Sequence, residues 1–187
     1  MDYIECDEEY KRIVAPIMSN EEFVSSMDNI RHHDSTRLNH MLKVSYKSYK
    51  IAKTLKLDYV EVARAGLLHD YYLESVYEQD KIKDKVALYT INHPKNAVEN
   101  AKEMFGINDK EEDIIRTHMF PIDIKVPKYA ESWIVSFVDK GVSTVEFARK
   151  FGYQLKSSTN VMAIFILNVC GAAPQALFWY PFSSSTG

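Results

Sequence analysis

The sequence predicts an all-α domain, and three observations carry that expectation. Strand signals are poor almost everywhere, helix-start spacings recur, and glycines stand where helices are expected to stop. Helices are predicted at roughly 7–14, 20–29, 35–56, 59–70, 93–105, 110–119 and 129–150. Ser19-Asn20-Glu21-Glu22 has capping-box spacing at the start of the second. The third carries Val44, Ile51 and Leu55 on the face of His40, at offsets that follow a 3.6-residue period. Asp58-Tyr59-Val60-Glu61 opens the fourth, Pro94 suits the first turn of the fifth, and Gly106 ends it. Asp109-Lys110-Glu111-Glu112 opens the sixth, Pro121 and Pro127 bracket a loop, and Gly152 marks the end of the seventh.

Composition narrows the function classes. Of 187 residues, 46% are hydrophobic and 26% charged, as in an ordinary globular protein and unlike a disordered chain. A formal net charge of −3 argues against a protein that lives on nucleic acid or an anionic membrane. Cys6 and Cys170 are the only cysteines, so no disulfide framework is expected and a reducing compartment is the simplest reading. The opening Met1-Asp2-Tyr3-Ile4-Glu5 lacks the basic and then apolar run of a signal peptide, and the expected location is the cytoplasm.

The last charged residue is Lys156. Beyond it, the apolar run Val161 to Leu167 gives way to Asn168, Gly171, Pro174 and Gln175 before Leu177-Phe178-Trp179-Tyr180. Amides and a proline interrupt what would have to be about 20 apolar residues for a membrane span. Three readings stay open: a segment packed on the domain or on a second subunit in a homo-oligomer, membrane association, or a disordered or non-native end. The expected organisation is an N-terminal helical extension at 1–29, a core domain at 30–152 and this apolar segment at 153–187.

Six side chains stand out together: His40, His69, Asp70, His93, His118 and Asp139. The intervals from His40 to His69, Asp70 to His93, His93 to His118 and His118 to Asp139 are 29, 23, 25 and 21 residues. Each is about one helix and its connection, so the groups fall on different helices or helix ends. Asp139 lies between Val135 and Val142 on an apolar face, His69-Asp70 ends an apolar helix, and His118 trails Ile114 and Ile115. Taken singly, a core-facing histidine is usually a hydrogen-bonded packing residue, and a lone carboxylate is usually paired with Lys or Arg. Jointly, a shared cation explains why several helices aim imidazole or carboxylate inward, where an unpaired charge is costly. A mixed His/Asp set suits Mn²⁺, Fe²⁺, Zn²⁺, Co²⁺ or Ni²⁺, one ion or two, better than an all-oxygen Mg²⁺ or Ca²⁺ cage.

The pattern His40, His69-Asp70 and Asp139, with the local text Ala63-Arg64-Ala65-Gly66-Leu67-Leu68-His69-Asp70 and Val138-Asp139-Lys140, resembles the HD-domain metal-dependent phosphohydrolases over about residues 30–150. His93 and His118, between the HD pair and the final aspartate, resemble the dinuclear branch of that family. The resemblance implies a helical bundle with a metal site in its centre. It implies one metal on His40, His69, Asp70 and Asp139, and a second on His93 and His118 with Asp70 bridging. The implied activity is hydrolysis of a phosphate ester or anhydride in a nucleotide-like small molecule by metal-activated water. Leu73 stands where many dinuclear members carry a lysine, and the loop 119–128 does not match the glycine-bearing loop of the tetraphosphate hydrolases, so the substrate stays open.

Phosphate-handling groups are less determined. Arg37, one turn before His40 on the same face, is expected to act with Asp70 in catalysis by clamping a phosphate, with a plain surface arginine as the alternative. His33, Asn100 and Glu74 are further substrate-contact candidates: His33 as a pocket cap or a polar turn, Asn100 as a ligand orienter or a brace on a core carbonyl, Glu74 as a general acid. Lys140, beside Asp139 but on a different helix face, is expected to point to solvent, with a place at the pocket rim as the alternative. A non-catalytic metal- or nucleotide-sensing module of the same shape is the alternative to the enzyme.

Overall fold

The computed structural model describes the backbone of residues 7–32, 35–72 and 85–169, and side chains at 7–30, 36–72 and 92–152. His33, Leu73, Glu74 and both cysteines lie outside the described residues, as do 170–187 of the apolar C-terminal segment and the side chains of 153–169. The architecture is all-α, as expected. The described helices are α1 Glu8–Met18, α2 Glu21–Asn29, α3 Arg37–Thr54, α4 Tyr59–Leu68, α5 Lys85–Phe105, α6 Asp109–Thr117 and α7 Ala130–Val169. A two-residue antiparallel pair, β1 Arg31–His32 with β2 Ser35–Thr36, joins α2 to α3.

Caps begin these helices where short polar side chains accept freed backbone N–H groups. Asp7 accepts from Tyr10 N, Asn20 from Phe23 N and Thr36 from Asn39 N. At α6 the cap is Asn108, one residue before the expected Asp109, and Asn108 and Glu111 complete a reciprocal capping box. Asp58 stands at the N-cap of α4 without a side-chain cap bond. Gly106 ends α5 at φ +61°, a conformation that costs glycine little.

Three helices outrun the sequence expectation. α1 continues through Pro16 to Met18, because Ile17 extends the buried stripe of Tyr10 and Val14. Burying Ile17 is worth about 1.5–3 kcal/mol, which offsets most of the roughly 3 kcal/mol an interior proline costs. α5 begins at Lys85, so Pro94 is interior rather than in the first turn. α7 passes through Gly152 to Val169. A helical glycine costs only about 1 kcal/mol, too little to stop a run with no proline before Pro174.

The chain divides into two compact units, Met1–Phe147 and Ala148–Gly187. Within the first unit, α3 packs on α4, α4 on α6 and α1, and α5 on α6. α1 and α2 contribute Tyr10, Val14, Ile17, Phe23 and Met27 to the same core as Met41, Leu67, Leu68, Ile114 and Ile115. A hydrogen-bond chain crosses it: Tyr10 OH donates to Ser45 Oγ at 2.8 Å, and Ser45 Oγ donates to Ala63 O at 2.6 Å. Gly66 lets α4 lie against α3, because a methyl there would meet Ser45 Cα at 3.0 Å. Gly66→Ala is therefore expected to lower the thermal melting temperature. Overpacking costs about 1–3 kcal/mol and exceeds the gain in helix propensity of about 1 kcal/mol. A melting temperature that rises would show that the two helices separate freely.

Candidate metal centre

Five helices, α3 to α7, bring the six predicted side chains to one buried place. His40 lies in the first turns of α3, while His69 and His118 are the C-caps of α4 and α6. Asp70 follows His69, His93 lies within α5, and Asp139 within α7. All six are buried. His69 and His118 are set by the same local device. Each ring's Nδ1–H donates to the carbonyl three residues back, Gly66 O at 2.8 Å and Ile115 O at 2.7 Å. A carbonyl only accepts, so the proton sits on Nδ1 and Nε2 faces the centre with its lone pair.

Two groups of donors result: His40, His69 and Asp139, and Asp70, His93 and His118, with ligand atoms in each within 4.8 Å of one another. In the first, His40 Nε2 is 3.1 Å and His69 Nε2 3.7 Å from Asp139 Oδ1. In the second, His93 Nε2 and His118 Nε2 are 3.0 Å apart, and 3.6 and 3.5 Å from Asp70 Oδ1. The other oxygen of Asp70, Oδ2, faces His69 Nε2 at 3.7 Å, so this carboxylate presents one oxygen to each group. Donors around a cation with bonds of about 2.0–2.2 Å stand about 3.0–3.6 Å apart, which is close to this spacing.

The donor set also fits a cation electrostatically. His69 Nε2 is buried without a hydrogen-bond partner and is aimed between two carboxylates. Burial pushes the Asp70 and Asp139 carboxyls up, but the surrounding imidazoles outweigh it and hold both well below the usual carboxylate range. Burial pulls the His40 imidazole down, yet hydrogen bonds to Asp139 and Glu146 raise it to about 9. Two anions thus stay ionised in the interior and collect positive charge around them.

A model of the HD domain matches residues 37–164, a span that carries all six donors. The chain belongs to the HD-domain family. No curated protein and no solved structure matches it. HD-domain proteins bind divalent metals and are generally metal-dependent hydrolases, with some non-catalytic members. No helix among the described residues is long and apolar enough to cross a membrane.

Around the donors, other predicted residues take specific places in this HD domain. Arg37 is 1% exposed, and its two terminal nitrogens donate to Tyr72 O and Tyr72 OH, each at 2.8 Å. Tyr72 in turn lies against His93, ring centres 5.3 Å apart. In this arrangement Arg37 holds the segment that follows Asp70, and contact with a phosphate would require those bonds to be exchanged. Asn100 is likewise a brace, its amide donating to Tyr71 O at 3.1 Å.

Lys140 corrects the sequence expectation. Its ammonium donates to His118 O and lies 3.3 Å from Asp139 Oδ2 rather than pointing to solvent. Adjacent helical positions diverge at Cα, but a four-carbon stem reaches back across that angle. Glu146 was not singled out from the sequence. It is 1% exposed, accepts from His40 Nδ1 at 2.9 Å and accepts from Lys43 Nζ at 2.6 Å. The one available signal was its place seven residues after Asp139, two turns along the same helix face.

Proposed function

We propose that this HD-domain chain is a phosphohydrolase that cleaves a phosphate ester or anhydride in a nucleotide- or dinucleotide-like small molecule. The observation that carries this reading is His69 Nε2, buried, lacking a hydrogen-bond partner and directed between Asp70 and Asp139. His40, His69 and Asp139 would hold one transition-metal ion, His93 and His118 a second, and Asp70 would join the two. Such ions supply Lewis acidity and a water that ionises near neutral pH for in-line attack on phosphorus.

The chain's own groups do the rest. The carbonyls of Gly66 and Ile115 keep His69 and His118 in the ligating tautomer. Asp70 and Asp139, held ionised, balance the positive charge of the centre. Tyr72, locked by Arg37, packs on His93 and limits its motion. The ammonium of Lys140, beside Asp139, adds a positive charge near anionic phosphate oxygens.

Phosphate release over a panel of nucleotides and dinucleotides tests the reading. Protein loaded with Mn²⁺ is expected to release phosphate, and chelation is expected to abolish release and to lower the melting temperature, since an ion bound only by the folded state stabilises it. Reloading should restore both. Metal-dependent stabilisation with no turnover of any panel member would favour the non-catalytic sensor.

A further inference from the structure

We infer that Glu146, oriented by Lys43, is a positioning residue that sets the ring of His40 for metal binding; the inference rests on the metal-centre reading above. The carboxylate of Glu146 divides its oxygens between two neighbours. Oε1 accepts from Lys43 Nζ at 2.6 Å, and Oε2 accepts from His40 Nδ1 at 2.9 Å. Both the Glu146 and His40 side chains are 1% exposed, so water does not supply a substitute. Because a carboxylate oxygen only accepts, the bond keeps a proton on Nδ1 and turns Nε2 towards Asp139 and the first donor group. Among the four histidines of the centre, His69 and His118 obtain the same result from a backbone carbonyl one turn back on their own helix. His40 sits near the start of its helix and takes its acceptor from α7 instead, through a residue 106 positions away.

Lys43 makes the arrangement directional. A glutamine at 146 has one oxygen and one NH₂ group in place of two equivalent oxygens. The lysine cation attracts the amide oxygen, which leaves NH₂ facing His40 Nδ1. That nitrogen must then accept, the ring proton moves to Nε2, and the nitrogen that faces the donor group is blocked. The near-isosteric Glu146→Gln is therefore expected to be a worse substitution than the truncation Glu146→Ala, the reverse of the usual order. Removing the lysine as well frees the amide to turn over and present its oxygen.

The test is Zn²⁺ affinity, measured by competition with a chelator, together with thermal melting of the zinc-free protein. Glu146→Gln is expected to weaken zinc binding about 10–100-fold, the range found for groups that orient metal-ligating histidines. Lys43→Met/Glu146→Gln should recover most of the lost affinity, because the amide can then turn its oxygen to His40 Nδ1. A merely structural role would shift melting without producing this order of affinities. Zinc binding by Glu146→Gln within about twofold of the unsubstituted chain overturns the inference and leaves the metal centre standing. A double variant no better than Glu146→Gln overturns it too, because orientation by Lys43 is then not the cause. If the unsubstituted chain takes up no zinc, the metal-centre reading itself fails, and this inference with it.

Discussion

Asp70→Asn is expected to lower phosphate release by about 10³-fold or more and to reduce the metal bound per folded chain. Asparagine keeps the shape and one oxygen donor but removes the charge that faces His93 and His118 through Oδ1 and His69 through Oδ2. A loss of roughly 4 kcal/mol of transition-state stabilisation corresponds to about that factor, and polarisation by a bound ion is worth several kcal/mol. His118→Ala is the comparison, since it removes a donor from one group only. Elemental analysis of the purified variants and phosphate release under saturating metal check both. Full metal content and full turnover in Asp70→Asn would rule Asp70 out as the ligand proposed to serve both ions.

The second large effect concerns stability and lies in the first 29 residues. Phe23 on α2 is fully buried, with its ring edge-on to Tyr71 and Phe105 at 5.0 and 5.6 Å between centres. Phe23→Ala is expected to cost about 3–5 kcal/mol through lost burial and the cavity left behind. For a domain of this size that is a fall of about 6–20 °C in melting temperature. Tyr71 is the residue after Asp70, so the cavity opens directly under the segment that carries the shared carboxylate. Metal affinity should fall along with stability. A melting temperature changed by less than about 2 °C would mean that α2 is a dispensable appendage rather than part of the core.

Much of the helical order was legible because start and stop signals are local. The caps at Asn20 and Asn108 fall within one residue of the expected Ser19 and Asp109, and Gly106 and the apolar stripes likewise lie within a few residues of the helix they define. Pro94 and Gly152 misled for the same reason, and the first helix, expected to end at 14, runs on through Pro16. Each carries a fixed local penalty, and packing or the propensity of the flanking residues exceeds it. The six donors were legible through their intervals, since residue type and helical period reveal which side chains an individual helix turns inward.

Glu146 and Lys140 were not legible in that way. A glutamate among Thr144, Val145 and Phe147 and a lysine beside Asp139 look like ordinary helix charges until α3 and α7 are brought together. The same holds for Arg37, whose guanidinium meets Tyr72 across 35 residues of chain.

From residue order alone follow the helical class, the inward-facing imidazoles and carboxylates, and hence the kind of ion they suit. Which nitrogen of each ring faces the centre, how Asp70 splits its oxygens between two donor groups, and which carboxylate stands behind His40 emerge only once the helices cross. Hydrogen-bond direction and donor spacing are relations between atoms on different segments, and a periodicity confined to one segment cannot encode them.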